Sequence, residues 1–253
     1  MSRRPGRRTT AARGSTARRD STVRISVTDA SGSCLLRAAD LHLSFGPARA
    51  LAAASFTLRA GEIVAVVGPS GSGKSTLLHC LSGMVVPDEG EVWFHGSPVH
   101  TMSEHERSVL RRTRFGVLFQ FGQLVAELTA EENVALPLLL AGSRRRSALR
   151  AAAEQLDAVG IGDLARRRPT EMSGGEAQRA ALARALVTEP EVLFADEPTG
   201  ALDSAAGASV LRLIEGAATR HGTGVVLVTH DQDVARVAHR RVAMADGRST
   251  VDA

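Results

Sequence analysis

From Leu35 onward, short unbroken apolar runs alternate with longer stretches of helical period. Ile63–Val67 (IVAVV), Val192–Ala195 (VLFA) and Val225–Val228 (VVLV) carry no polar alternation, the pattern of parallel strands buried on both faces. Between them, Ser75–Leu81, Ser147–Val159, Glu176–Val187 and Ser204–Thr219 read as helices; in the last, Val210, Leu211, Ile214 and Ala217 share one face. Strands alternating with helices predict an α/β sheet with crossover connections. Leu41–Phe45, Ser55–Leu58 and Glu91–Phe94 read as further strands bounded by glycines, and Val117–Phe119 as another. The middle of the chain, about residues 121–169, has no strand-like run and reads as a mostly helical insertion. Asp246-Gly247 suits a hairpin turn.

Before Leu35 the pattern stops. Residues 1–33 are mainly Arg, Ser, Thr, Ala and Gly, with little to bury, and are expected to be a disordered basic tail. Their eight arginines face only Asp20 and Asp29, a net of +6; the whole chain carries +4, so the remaining residues carry 4 − 6 = −2. The basic character therefore belongs to the tail, and nucleic-acid binding by the folded part is not expected. The tail could contact anionic lipid, since each arginine near such a surface contributes about 1 kcal/mol. Arg144–Arg146 and Arg166–Arg168 read first as solvated faces. Two cysteines, Cys34 and Cys80, make no disulfide framework. No apolar run approaches the roughly 20 residues that span a bilayer. The paired arginines near the start are not followed by an apolar segment, so export is not expected and a cytoplasmic location is.

The chain has 253 residues and a single lysine, Lys74; its other thirty basic residues are arginines. Lys74 lies in Gly68-Pro69-Ser70-Gly71-Ser72-Gly73-Lys74-Ser75-Thr76, directly after one buried run and before a helical pattern. Backbone N–H groups of such a glycine-rich loop can turn inward around phosphate oxygens at a helix N-terminus whose dipole favours anions. Ser75 is placed to offer its hydroxyl to Mg²⁺, and Lys74 to reach the terminal phosphates as a compact charge. A forked guanidinium is too bulky for that place, which explains why this position resists the arginine bias.

A second apolar run ends in Asp196-Glu197. Asp196 at a strand end is placed to hold Mg²⁺ through water, and Glu197 to polarise an attacking water. His230 ends a third run and opens on the same crevice if the strands are parallel, within reach of a γ-phosphate. Gln120 is an uncharged candidate for Mg²⁺ and water. Met172–Arg179 (MSGGEAQR) precedes an apolar helix, so Ser173, Gly174 and Gly175 form a second anion-binding N-terminus in a chain that already has one.

In this order the motifs resemble those of the ATP-binding cassette (ABC) ATPases, over nearly all of residues 35–248. They are the phosphate loop 68–75, the glutamine loop at Gln120, the signature 173–177, the Walker B run 192–197, the D-loop Ala201-Leu202-Asp203 and the switch histidine His230. The resemblance implies a P-loop NTPase (RecA-like) core spanning 34–248, with an N-terminal antiparallel β subdomain, a helical subdomain inserted at about 121–180 and a short end at 249–253. It implies Mg²⁺-dependent ATP hydrolysis by a homodimer or heterodimer whose signatures, including Glu176, act in trans. Membrane permease subunits are the implied partners, on the inner face of the membrane. FQFGQLVAELTAEENVALPL (119–138) and ADEPTGALD (195–203) are similar to the lipoprotein-release, macrolide-export and peptide-resistance ATPases. Three departures stand out. Phe45 occupies the place of the tyrosine that stacks on adenine, which a phenyl ring can also do. Met172 replaces leucine, and Glu176 stands where glutamine is common. Two other roles remain open: an ATPase of a signalling or cell-division complex, and a soluble ABC protein of DNA repair or translation.

Overall fold

The structure is a computed structural model that describes residues 34–120 and 122–252, with the side chains of 251 and 252 left aside. The expectations for residues 1–33 lie outside the described residues.

In chain order, β1 (Cys34–Phe45) and β2 (Ala48–Arg59) lead into β3 (Ile63–Val67) and α1 (Lys74–Leu81). Then come β4 (Glu89–Phe94), β5 (Ser97–Pro98), α2 (Glu104–Thr113) and β6 (Phe115–Leu118). Three helices follow, α3 (Ala130–Leu140), α4 (Arg145–Ala158) and α5 (Gly174–Leu186). The chain closes with β7 (Val192–Asp196), α6 (Ser204–His221), β8 (Gly224–Thr229), β9 (Arg240–Ala245) and β10 (Arg248–Asp252).

The main sheet has the order β10-β9-β3-β8-β7-β6, parallel from β9 to β6, with β10 antiparallel at one edge. Every residue of β3 and β8 is buried, as are the first four of β7. Their alternate residues feed two cores. Val64, Val66, Phe194, Val226 and Val228 meet α1 and β1, β2 and β4 on one face. Ile63, Leu193, Ala195, Val225 and Leu227 meet α5 and α6 on the other. This is the period-2 consequence of covering a parallel sheet on both sides. The second sheet, β2-β1-β4-β5, is antiparallel. Edge-on contacts Phe94–Phe115–Phe194, with ring centroids 4.9 and 5.2 Å apart, join it to the main sheet. A third core packs Val134, Ala148, Ala152 and Leu156 of α3 and α4 against Ala180 and Ala183 of α5.

The sequence pattern locates these strands but shortens some. β1 begins seven residues before Leu41, because bulges near Ala38–Leu41 and a left-handed Asp40 (φ 51°) break its alternation. α2 goes unpredicted because none of its residues is buried; its only strong signal is the capping box of Ser103 and Glu106. The expected end at residue 248 falls inside the fold. The turn at Asp246-Gly247 folds β10 back on β9, and the Ser249 hydroxyl and backbone of Ser55 exchange hydrogen bonds of 2.7 and 2.8 Å.

Candidate functional site

The phosphate loop is clamped between two backbones. Gly68 has φ 154°, and a Cβ there would lie 2.2 Å from the Met244 carbonyl oxygen. Gly73 has φ 98°, and its Cβ would lie 2.4 Å from the Ala50 carbonyl oxygen. Neither position admits another residue. Gly73 caps α1 with no side-chain hydrogen bond, so the first N–H groups of the helix remain available to an anion. They open on a hollow lined by Ala50, Gly71, Gly73, Lys74, Ser75 and Thr76.

Lys74 is only 8% exposed, and its ammonium donates to the carbonyls of Gly68 and Pro69, both at 2.9 Å. The loop thus holds its cation by its own backbone, at a depth a planar guanidinium does not match. Ser72 is buried too, and its hydroxyl has no partner among the described residues.

Across the sheet, β7 delivers Asp196 and Glu197. Burial pushes the Asp196 carboxyl above the ordinary aspartate range, with the Ser75 hydroxyl and then His79 opposing part of the shift. Its Oδ1 is buried without a hydrogen-bond partner. A desolvated carboxylate oxygen lacking a donor, beside a serine hydroxyl, is a donor set that suits a hard divalent cation.

The raised pKa has a stability consequence. The fold disfavours ionised Asp196, so this group weakens the nucleotide-free protein at neutral pH, and the penalty fades as pH falls through the raised pKa toward the unfolded value. Asp196→Asn should therefore raise the melting temperature near pH 7, with the gap to wild type closing in acid. Melting curves across pH check this; a mutant that melts lower at pH 7 contradicts it.

Glu197 sits just past the strand in the left-handed region, φ 46°. Its Oε1 accepts from the His230 backbone N–H at 3.1 Å and lies 2.6 Å from His230 Nδ1, while Oε2 accepts from the Thr229 hydroxyl at 3.3 Å. His230, expected near a γ-phosphate, is thus paired with the neighbouring acid across the ends of β7 and β8. Gln120 follows β6, and a Cβ on Gly200 would meet its Nε2 at 3.0 Å, so the glutamine lies over the turn that follows Glu197. Phe45, at the end of β1, is 56% exposed, its ring free to stack.

Ser173 caps α5 in a capping box: its N–H donates to the Glu176 carboxylate at 2.7 Å, and its hydroxyl accepts from the Glu176 N–H at 3.4 Å. The backbone N–H of Ser173, followed by its hydroxyl, holds the Glu176 carboxyl below the usual range. A glutamate therefore serves this helix start at least as well as the glutamine it replaces. A Cβ on Gly174 would meet Leu202 and Ala201, and one on Gly175 would lie 3.0 Å from Ala206. The signature packs on the D-loop and the start of α6, and none of its residues lines the hollow of the phosphate loop.

Two residues the motifs do not single out anchor this frame. Gln178, buried on α5, donates to backbone carbonyls beside Gln120 and Glu197. Arg184, desolvated on the same helix, donates to the carbonyls of Gly122 and Gln123 at 2.7 and 2.9 Å. For Gln178 the available signal was a polar residue on a helix face whose i+3, i+4 and i+7 neighbours, Ala181, Leu182 and Ala185, are apolar; Arg184 has no such pattern.

Residues 51–200 match the family described as ABC transporter. The chain is 46% identical over 192 residues to the lipoprotein-releasing system ATP-binding protein LolD of Psychrobacter arcticus, covering 76% of this chain and 85% of that one. Among solved structures it is similar to the ATP-binding cassette MJ0796 in a dimeric post-hydrolysis state bound to ADP and Pi. That likeness has a TM-score of 0.80 and 34% identity, over 86% of this chain and 97% of that one. It is also similar to cbiO1 of Clostridium perfringens, part of the ABC transporter complex cbiONQ, with a TM-score of 0.78 and 26% identity over 87% and 88% of the two chains. With the phosphate loop, the acidic strand end and the signature folded as described, the chain belongs to the ABC transporter family and is an ATP-hydrolysing cassette of it.

Proposed function

We propose that the chain drives an export or extrusion system that releases lipoproteins from a membrane, working as a dimer of cassettes on permease subunits at the inner membrane face. The observation that carries the dimer is the separation of the two anion-binding helix starts. Gly174 and Gly175 lie against the D-loop, away from the hollow that Lys74 and Ser75 line, so the signature needs a phosphate supplied by another copy. The dimeric state of MJ0796 and the lipoprotein-releasing role of LolD support the rest.

In this reading the α1 N–H groups and Lys74 hold the phosphates of ATP, and Phe45 stacks on adenine. Ser75 and Asp196, with Gln120, would hold Mg²⁺, which when bound neutralises charge on the phosphate oxygens. Glu197, steadied by His230 and Thr229, takes the proton of the attacking water. The membrane passage is assigned in this reading to partner subunits, on the likeness to LolD; no helix of the described residues is long and apolar enough to cross a membrane.

The test is reconstitution. The chain and the integral membrane protein that purifies with it in stoichiometric amount are placed in proteoliposomes carrying a lipid-modified protein and a soluble acceptor. ATP should move the lipoprotein to the acceptor, and the cargo should raise ATPase activity. ATP turnover with no cargo movement favours a signalling or cell-division role and overturns the transport reading.

A further inference from the structure

The strand pair that carries Gln120 and Glu197 comes apart before it reaches them. β6 and β7 are paired from Phe115–Val192 to Leu118–Ala195, and there the ladder stops. Phe119 and Pro198, which adjoin Gln120 and Glu197, lie past that point.

Gln178 spans the gap. It lies on the buried face of α5, 3% exposed, and its Nε2 donates to the Phe119 carbonyl at 3.1 Å and to the Pro198 carbonyl at 2.9 Å. The amide group has two protons, and both are used. The opposite amide orientation would set Oε1 against two carbonyl oxygens, so the network admits one assignment. Each carbonyl would be left without this donor if the amide were removed. The place also needs a restraint: Glu197 is a non-glycine residue at φ 46°, a conformation that persists only where its surroundings impose it.

We propose that Gln178 is a positioning residue that sets the spacing between Gln120 and Glu197 and links both to the signature helix. It sits on the helix that opens at Gly174, so a displacement of that helix reaches both strand ends through one side chain. Arg184 holds only the glutamine-loop side, at Gly122 and Gln123, and does not reach Pro198. The inference rests on the roles proposed above for Gln120 and Glu197.

Gln178→Met keeps the length and removes both donors. Calorimetric ATP affinity should stay within about twofold of wild type, because the phosphate loop is untouched, while kcat falls about 10- to 100-fold through misplacement of the reacting groups. Unchanged kcat overturns the proposal. A fall in kcat matched by an equal fall in affinity also overturns it, since general loosening of the fold would produce that result. If the Met variant does not fold, Gln178→Asn carries the same expectations, as its amide stops one methylene short of both carbonyls. Glu197→Gln is measured alongside. If it keeps wild-type turnover, the underlying role of Glu197 fails, and the proposal with it. If it is inactive while Gln178→Met is not, only the inference about Gln178 fails.

Discussion

Glu197→Gln is expected to lower ATP turnover by at least about 100-fold, the usual contribution of a general base, while leaving ATP binding intact. The two effects separate because the groups are separate. In the proposed reading, binding rests on the α1 N-terminus and on Lys74, which donates to the Gly68 and Pro69 carbonyls on β3's side of the crevice. Glu197 is held by His230 and Thr229 at the ends of β7 and β8. The amide has nearly the shape of the carboxylate and leaves the fold undisturbed, but it cannot take a proton from water. With hydrolysis blocked, ATP should hold the chain as a dimer on size exclusion. Steady-state phosphate release checks the first part; turnover at the wild-type rate removes Glu197 from the chemistry.

The legible parts of the sequence are those under two constraints at once. β3, β7 and β8 are buried on both faces, so their apolar runs have no polar interruption to confuse the reading. The phosphate loop was legible because its backbone must pass within van der Waals contact of Ala50 and Met244, which only glycine permits at Gly73 and Gly68. By contrast α2 buries no residue and left no apolar stripe. α3 runs through Pro137, and its run VALPLLL gave no helical period to read; its start is fixed instead by the Thr129–Glu132 capping box and by the buried Asn133, which ties back the loop at Val125. Gln178 was hidden for another reason. Its partners are backbone carbonyls 59 and 20 residues away, and carbonyls have no side-chain identity for a sequence to display.

The arrangement of the signature leads to the second large effect. Lys74→Ala removes the ammonium that draws in the Gly68 and Pro69 carbonyls, and should abolish nucleotide binding to that copy. Ser173→Arg leaves the phosphate loop intact and ATP should still bind, but the bulk at the start of α5 keeps a partner's phosphate away from Gly174 and Gly175. Each variant alone should be inactive, since every site in its dimer carries the defect. In a mixed dimer the defects gather in one site, and the other joins an intact phosphate loop to an intact signature.

The most direct measurement is therefore the ATPase activity of Lys74→Ala and Ser173→Arg chains mixed in equal amounts, with differently tagged copies used to show that mixed dimers form. Sites shared between two copies predict that the mixture regains activity that neither variant has alone. A mixture that forms mixed dimers yet remains as inactive as its components would contradict the shared site.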